Sequence, residues 1–402
     1  ESLTDIVIPD GVTTFGYKIF GECLSLTNVT FPEKLSEIGE CSFENCKSLT
    51  SIEIPSNVVK ISDYAFDGCS ILSNVVLSNN VQIIGSNAFR GCALIANITI
   101  PDSVKEIDDY AFDGCTSLSN ITINNNIQRI GSNAFRDCSS LTNFEFPDSI
   151  SIIEKYMFSR CTSLVNVIIP NSVTKIDDYA FDDCSSLDDL IIPDSVQKIS
   201  SNAFKRCSSL SKIAIPYGIE QITDYTFSEC ASLSDITIPE TVQIICSNAF
   251  KECISITKII IPECVTQIGD YAFSGCSSLE YIEIPNGVIK IGCNAFKECT
   301  SLRSFTIPDG ITQINRYTFS GCTLLENVVI PDSIVQIDDY AFDRCSSLTS
   351  IKIPKSVQVI GNNAFKKCSE IENIIIPYGI TQISDYTFSE CSMLSKVIIP
   401  NT

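Results

Sequence analysis

The sequence predicts a solenoid: one continuous domain over 1–402, wound as a curved right-handed superhelix with a parallel β-sheet on its concave face. Three observations predict it. Phenylalanine recurs every 23 residues from Phe20 to Phe388 without an insertion, and a cysteine follows each one three residues later, from Cys23 to Cys391. Every proline falls in a second column at the same interval, from Pro9 to Pro400, which only Ser78 and Asn124 interrupt. The segment before each proline alternates apolar and polar residues, as a strand with one buried face does. A fixed interval of this size is the mark of stacked supersecondary units.

The stretch Leu187 to Cys207 shows the elements in order: Leu187-x-x-Leu190-x-Ile192-Pro193-x-x-Val196-x-x-Ile199-x-x-x-Ala203-Phe204-x-x-Cys207. The first part reads as a strand, rich in the isoleucine and valine that favour pleated surfaces. Proline ends it, because it has no N–H to donate to a neighbouring strand. A polar turn follows, as in Asp102-Ser103-Val104. Val104 and Ile107 then point inward. Asp109-Tyr110-Ala111-Phe112 is compact and too short for an independent helix, so it predicts at most one helical or 3₁₀ turn, within otherwise irregular segments. Strands one repeat apart stack in parallel about 4.8 Å apart, in one sheet. The bulkier phenylalanine wall needs more room, which puts it on the convex side.

This spacing resembles leucine-rich repeats of the BspA-like, or Treponema pallidum, class. Their pattern is Leu-x-x-Leu-x-Leu-Pro-x-x-Leu-x-x-Ile-x-x-x-Ala-Phe-x-x-Cys, and the present chain follows it over its whole length in about 17 repeats of 23 residues. The resemblance implies a leucine-rich repeat solenoid used for interaction. BspA-like proteins are associated with cell-surface attachment, binding of extracellular matrix proteins and aggregation between cells. The motif is specific for the fold and poorly specific for function.

A longer period overlies the short one. Two residues before each phenylalanine, tyrosine and asparagine mostly alternate, as in Tyr64, Asn87, Tyr110 and Asn133. The alternation slips at Tyr156/Tyr179 and again, 161 residues later, at Tyr317/Tyr340. Pro216-Tyr217-Gly218-Ile219 likewise returns as Pro377-Tyr378-Gly379-Ile380. These recurrences point to duplication of a seven-repeat block. Glu1 and Thr402 both lie within the repeat and neither end carries an atypical capping repeat. The expectation is a segment of a longer chain. The alternative is a filament unit associating end to end through uncapped strand edges.

Composition narrows the function. The net charge of −21 and a pI near 4.4 oppose nucleic acid and anionic membranes as general partners, since both need basic patches. No run of 18 apolar residues predicts membrane insertion. Histidine is absent, which removes the commonest general base and metal ligand and leaves a cysteine nucleophile without its usual partner. No enzyme site and no cofactor are expected. The 21 cysteines read as mostly free, buried thiols acting as small hydrophobes. The acidic doublets Asp108-Asp109, Asp177-Asp178 and Asp338-Asp339 lack the Asp-x-Asp-x-Asp-Gly loop of a calcium cage and read as a solvated wall. Glycines in Ile-Gly-x-Asn, such as Gly85, Gly131 and Gly361, read as a turn requirement.

Binding is the remaining role, and its expected place is the outward face of the strands. One outward column carries Asn74, Asn97, Asn120, Asn143 and Asn166, then Asp189, Lys212, Asp235, Lys258 and Tyr281. Stacked asparagines can satisfy one another along the sheet; the varied stretch suits recognition. The second outward column includes Ile168, Ile191, Ile260, Ile375 and Ile398, an apolar strip suited to a protein partner. Tyr217 and Tyr378 stand at the rim where most repeats have Asp, Asn or Glu. The candidate partner-binding residues are Ile168, Ile191, Lys212, Tyr217, Lys258, Tyr281 and Tyr378. Sequons at Asn28, Asn97 and Asn120 lie on the same face. The functional expectation is a non-enzymatic protein-binding or adhesion module of a cell-surface or secreted protein; an intracellular scaffold is the alternative.

Overall fold

A typical 23-residue turn contributes a three-residue strand, a polar turn after the proline, a two-residue strand, and a compact segment that carries the phenylalanine; the strand expected after Leu187 is reduced to a single bridge at Asp189. The structure, a computed structural model, describes residues 3–400. Among them there are strands and turns and no helix. The chain divides into two compact units, Glu1–Cys207 and Ser208–Thr402, and in each the turns stack as a parallel-stranded solenoid.

In the first unit the three-residue strands run from Asp5–Val7 to Asn166–Ile168, and in the second from Lys212–Ala214 to Lys396–Ile398. Their middle residues face the core and the flanking two face outward, as the alternation predicts. Register is 23 residues, so Asn97 pairs with Asn120 and Lys258 with Tyr281. The strands do not form the single sheet expected. They pair in twos: Asn97–Thr99 with Asn120–Thr122, then Asn143–Glu145 with Asn166–Ile168. Continuity comes instead from the two-residue strands, which the sequence reading missed. Glu37–Ile38 through Arg129–Ile130 make one five-stranded sheet.

Ring packing offers a reason for the pairing. The phenylalanines form one ladder in each unit, with centroids 5.4–5.7 Å apart from Phe43 to Phe204 and rings within 13° of parallel. Strand pairing favours about 4.8 Å. Strands of three residues, most of them followed closely by a proline, make too few bonds to impose that spacing on the stack. Closing in pairs gives each couple its hydrogen bonds while the rings set the average rise.

The compact segment keeps its turns and does not wind into a helix, because residues of opposite backbone hand alternate within it. Tyr64, Asn87, Tyr110 and Asn133 have φ between 57° and 60°, and the position two after each phenylalanine is also left-handed, as at Gly68, Gly91, Asp137 and Arg160. Every second N–H therefore points along the stack. Tyr64, Phe66 and Gly68 donate to the carbonyls of Ser86, Ala88 and Arg90 at 2.7–2.8 Å. The intervening Ala65, Asp67 and Cys69 close local turns onto Ser62, Tyr64 and Phe66. Asparagine and glycine suit left-handed backbone, which explains why they recur in these two columns.

Each thiol completes the same wall. The Sγ of Cys69, Cys92, Cys115 and Cys138 donates to the carbonyl of the phenylalanine 26 residues earlier, at 3.1–3.3 Å. That carbonyl also accepts the N–H of its own turn's cysteine, as Phe66 does from Cys69. Both of its lone pairs are thus used in a buried setting where an unsatisfied oxygen would be costly.

The tyrosine–asparagine alternation has a physical basis in the aspartate before the tyrosine. Asp63, Asp109, Asp270 and Asp339 each accept the N–H of the residue before asparagine in the next turn, at 2.7–3.0 Å. Asp109 also pairs with Arg129 at 2.7 Å, so its carboxylate belongs to the wall's own hydrogen bonding. Where the alternation slips, two tyrosines stack instead: Tyr156 on Tyr179 and Tyr317 on Tyr340, with centroids 4.6 Å apart. Gly131 answers a close approach and not the turn conformation expected for Ile-Gly-x-Asn. A Cβ there would lie 2.6 Å from the backbone nitrogen of Asp109 and 2.2 Å from its Oδ1. Gly131→Ala is expected to destabilise the first unit by about 1–3 kcal/mol, as overpacking does. Chemical denaturation measures this; a cost under about 0.5 kcal/mol would show that the Asp109 turn yields freely.

Candidate binding face

The strands place their outward residues in two columns, and the two units differ in what they display. In the first unit the asparagines expected to form a ladder are exposed, and they bond to one another within strand pairs, while Asn120 and Asn143 also donate to the preceding hydroxyls of Ser119 and Thr142. Asn120 Nδ2 donates to Asn97 Oδ1 at 3.3 Å and Asn166 Nδ2 to Asn143 Oδ1 at 2.9 Å. Asn28 donates to Asp5 at 2.6 Å. The three sequon asparagines therefore lie on an exposed face, and each takes part in such a bond.

Ile168 and Ile191 come together. They are 59% and 80% exposed, and both line a groove of about 1050 Å³ that runs across the strands Asn120–Thr122, Asn143–Glu145 and Asn166–Ile168 to Asp189 and Ile191 in the following turn. Its floor is aromatic. Phe144 and Phe146 replace the usual isoleucines, and Phe144 packs against Phe135, Phe146 and Phe158 with centroids 4.7–5.3 Å apart. Glu145 was not singled out from the sequence, and Asn143 was read only as a member of the asparagine column. Reading the second outward column at every strand would have found Glu145, since it stands where Ile168 stands one turn later.

In the second unit the candidates are exposed but spread out. Lys258 and Tyr281 are cross-strand neighbours, and the Tyr281 hydroxyl reaches Glu283 at 3.4 Å. Tyr281 and Glu283 line a smaller hollow of about 230 Å³ with Glu263, Asn286, Ser304 and Thr306. Lys212 pairs in register with Asp235. Tyr217 and Tyr378 are 68% and 71% exposed at the rim and lie seven turns apart, so they do not share a site. Other apolar side chains on this face, Ile260, Val329 and Ile375, are well exposed.

All 21 cysteines are free thiols. Burial pushes Cys46, Cys276 and Cys322 up to about 12 and Cys246 to about 11. Buried Asp113 is also raised, by burial first, although Arg136 pairs with it at 2.8 Å. Among the described residues no group of three or more His, Cys, Asp or Glu side chains could hold a metal ion. No helix there is long and apolar enough to cross a membrane.

The profile of the BspA-type leucine-rich repeat region matches residues 1–118, 82–211, 197–326 and 312–402. The chain belongs to the BspA-type leucine-rich repeat family. Two solved structures agree on the fold of this BspA-type chain. A leucine-rich repeat protein from Bacteroides ovatus is 27% identical with a TM-score of 0.62, over 98% of this chain and 86% of that one. One from Eubacterium ventriosum is 21% identical with a TM-score of 0.51, over 79% and 88%. A leucine-rich cell surface protein from Faecalibacterium prausnitzii is 26% identical with a TM-score of 0.45, over 98% and 87%. No curated protein matches the sequence. Leucine-rich repeat proteins commonly act as interaction modules, and the fold typically serves as a scaffold for binding.

Proposed function

We propose that this BspA-type chain is a non-enzymatic protein-binding module of a cell-surface or secreted protein, engaging its partner through the strand face and its rim. The observation that carries the reading is the exposed pair Ile168 and Ile191 beside the groove of the first unit. Large aliphatic side chains held outward on a packed strand gain nothing in the folded chain alone, and they would gain from burial against a protein. The absence of histidine and the raised thiols support a role without catalysis. The likeness to BspA-type repeats supports attachment, with an extracellular matrix protein or another cell's surface protein as the partner.

One observation favours a second reading, an intracellular scaffold: every thiol is free, as in a reducing compartment. Burial of the column also keeps these thiols from oxidation outside the cell, so the two readings are separated by location. Antibody labelling or protease shaving of intact producing cells reports it directly. For the binding itself, the chain is presented to immobilised collagen, laminin and fibronectin. Ile168→Ser with Ile191→Ser is expected to weaken capture at least tenfold. Ile289→Ser, 64% exposed in the second unit, leaves it unchanged. A chain that is neither surface-exposed on cells nor able to bind any of these proteins would overturn the adhesion reading.

A further inference from the structure

The strand face of the first unit shows no cation. Its two outward columns, from Asp5 to Ile191, hold Asp5, Glu53, Glu145 and Asp189 among neutral side chains, whereas the second unit places Lys212, Lys258, Lys352 and Lys396 in the same columns. Two of the first unit's carboxylates, Glu145 and Asp189, line the groove that Ile168 and Ile191 also line. Asp148 and Asp194 stand exposed on the adjoining rim. None of these four carboxylates has an ion-pair or hydrogen-bond partner among the described residues.

The cations of this stretch are all engaged elsewhere. Between residues 119 and 196 they are Arg129, Arg136, Lys155, Arg160 and Lys175. Arg129 pairs with Asp108 and Asp109, and Arg136 with Asp113. Lys155, Arg160 and Lys175 pair with Asp178, Asp137 and Asp177. Every one of these partners is outside the groove. The charged side chains lining the groove are therefore of one sign, and two exposed aliphatic side chains and asparagine amides line it with them.

We propose that this groove docks an extended, basic protein segment, whose Lys or Arg side chains meet Glu145 and Asp189 and whose aliphatic or aromatic residue seats between Ile168 and Ile191. The proposal rests on the binding reading above and names the chemistry of the partner. Like-signed carboxylates beside exposed aliphatic side chains disfavour an acidic partner and steer a basic one. The apolar contact supplies affinity that salt does not screen. The amides accept and donate hydrogen bonds with the segment's own backbone.

Fluorescence anisotropy of labelled synthetic peptides tests this. The probes are a ten-residue peptide of alternating lysine and leucine, one of lysine and serine, and one of glutamate and leucine. The lysine–leucine peptide is expected to bind most tightly, the lysine–serine peptide at least tenfold more weakly, and the glutamate–leucine peptide not at all. Glu145→Lys with Asp189→Lys is expected to weaken the lysine–leucine peptide at least thirtyfold. Ile168→Ser with Ile191→Ser weakens it about tenfold, and the loss persists in 0.5 M salt. Asp309→Lys with Asp332→Lys, the same charge change in the second unit, shifts it less than twofold. Equal weakening by both charge reversals would mean general attraction to an acidic protein and would overturn the groove assignment. If matrix-protein capture needs Ile168 and Ile191 but ignores the Glu145 and Asp189 reversal, the charge reading fails while the binding reading stands.

Discussion

Phe112→Ala is expected to cost about 3–5 kcal/mol of local stability. Phe112 is fully buried and lies between Phe89 and Phe135, with centroids 5.5 and 5.7 Å away. Truncation therefore removes two ring contacts at once and leaves a cavity that neighbours locked in the ladder cannot fill. The loss should concentrate in the adjoining turns, because each repeat in a solenoid contacts mainly the next. Hydrogen exchange of the amides at Phe89, Phe112 and Phe135 is the readout, and a change of this size speeds it by about two to four orders of magnitude. Phe112→Leu, which keeps most of the apolar volume, is expected to cost about 1.5 kcal/mol or less. Equal costs for the two would show that the ring itself matters more than the filled space. A negligible cost for alanine would show that the ladder is not the core.

Thiol chemistry gives the second large effect. In the native chain at pH 8, Cys264 is expected to react first with a disulfide reagent, because it alone is classed as exposed among the free thiols. Cys46, Cys276 and Cys322, pushed up to about 12 by burial, should carry about a thousandfold less thiolate than an ordinary cysteine near 8.5. The thiolate is the reacting species, and burial also blocks the reagent. Since burial raises these groups, the stability they contribute is complete below the ordinary thiol range and is lost progressively as pH rises from about 8.5 through about 12, so the wall should loosen across that window. Unfolding should release all 21 thiols. Rapid labelling of the column in the native state, or a shortfall of thiols after unfolding, would remove the buried-thiol account. Cys264→Ser should abolish the fast phase and leave the rest.

Much of the fold was legible because a solenoid writes its structure once per turn. The strand before the proline, the buried middle residue, the outward flanks and the inward Val104 and Ile107 all follow from local alternation and from proline's missing donor. The free, buried state of the cysteines was legible for the same reason. The tyrosine–asparagine alternation was visible as a pattern, but its cause was not. It depends on Asp109 reaching the backbone of Ser132 in the next turn, a contact between residues 23 apart.

The candidate site was legible only in outline. Ile168 and Ile191 could be picked out as exposed aliphatics, and the structure does bring them to one groove. Lys212, Tyr217 and Tyr378 could be picked out equally well, yet Tyr217 and Tyr378 are seven turns apart and share nothing. Glu145 gains its meaning only from what surrounds it: a floor of phenylalanines, and cations paired with carboxylates outside the groove.

By itself the sequence determined the repeat, the family, the order of elements in each turn and which residues are buried, since these depend on period and on the chemistry of single residues. Only the tertiary structure decided how the turns meet. It showed strands closing in pairs, a second ladder of two-residue strands, alternating backbone hand in place of a helix, and the pairing of the cations between residues 119 and 196 with carboxylates outside the groove. Those features arise from competition between neighbours at one spacing, where rings near 5.5 Å meet strands that favour about 4.8 Å, and no single repeat records the outcome.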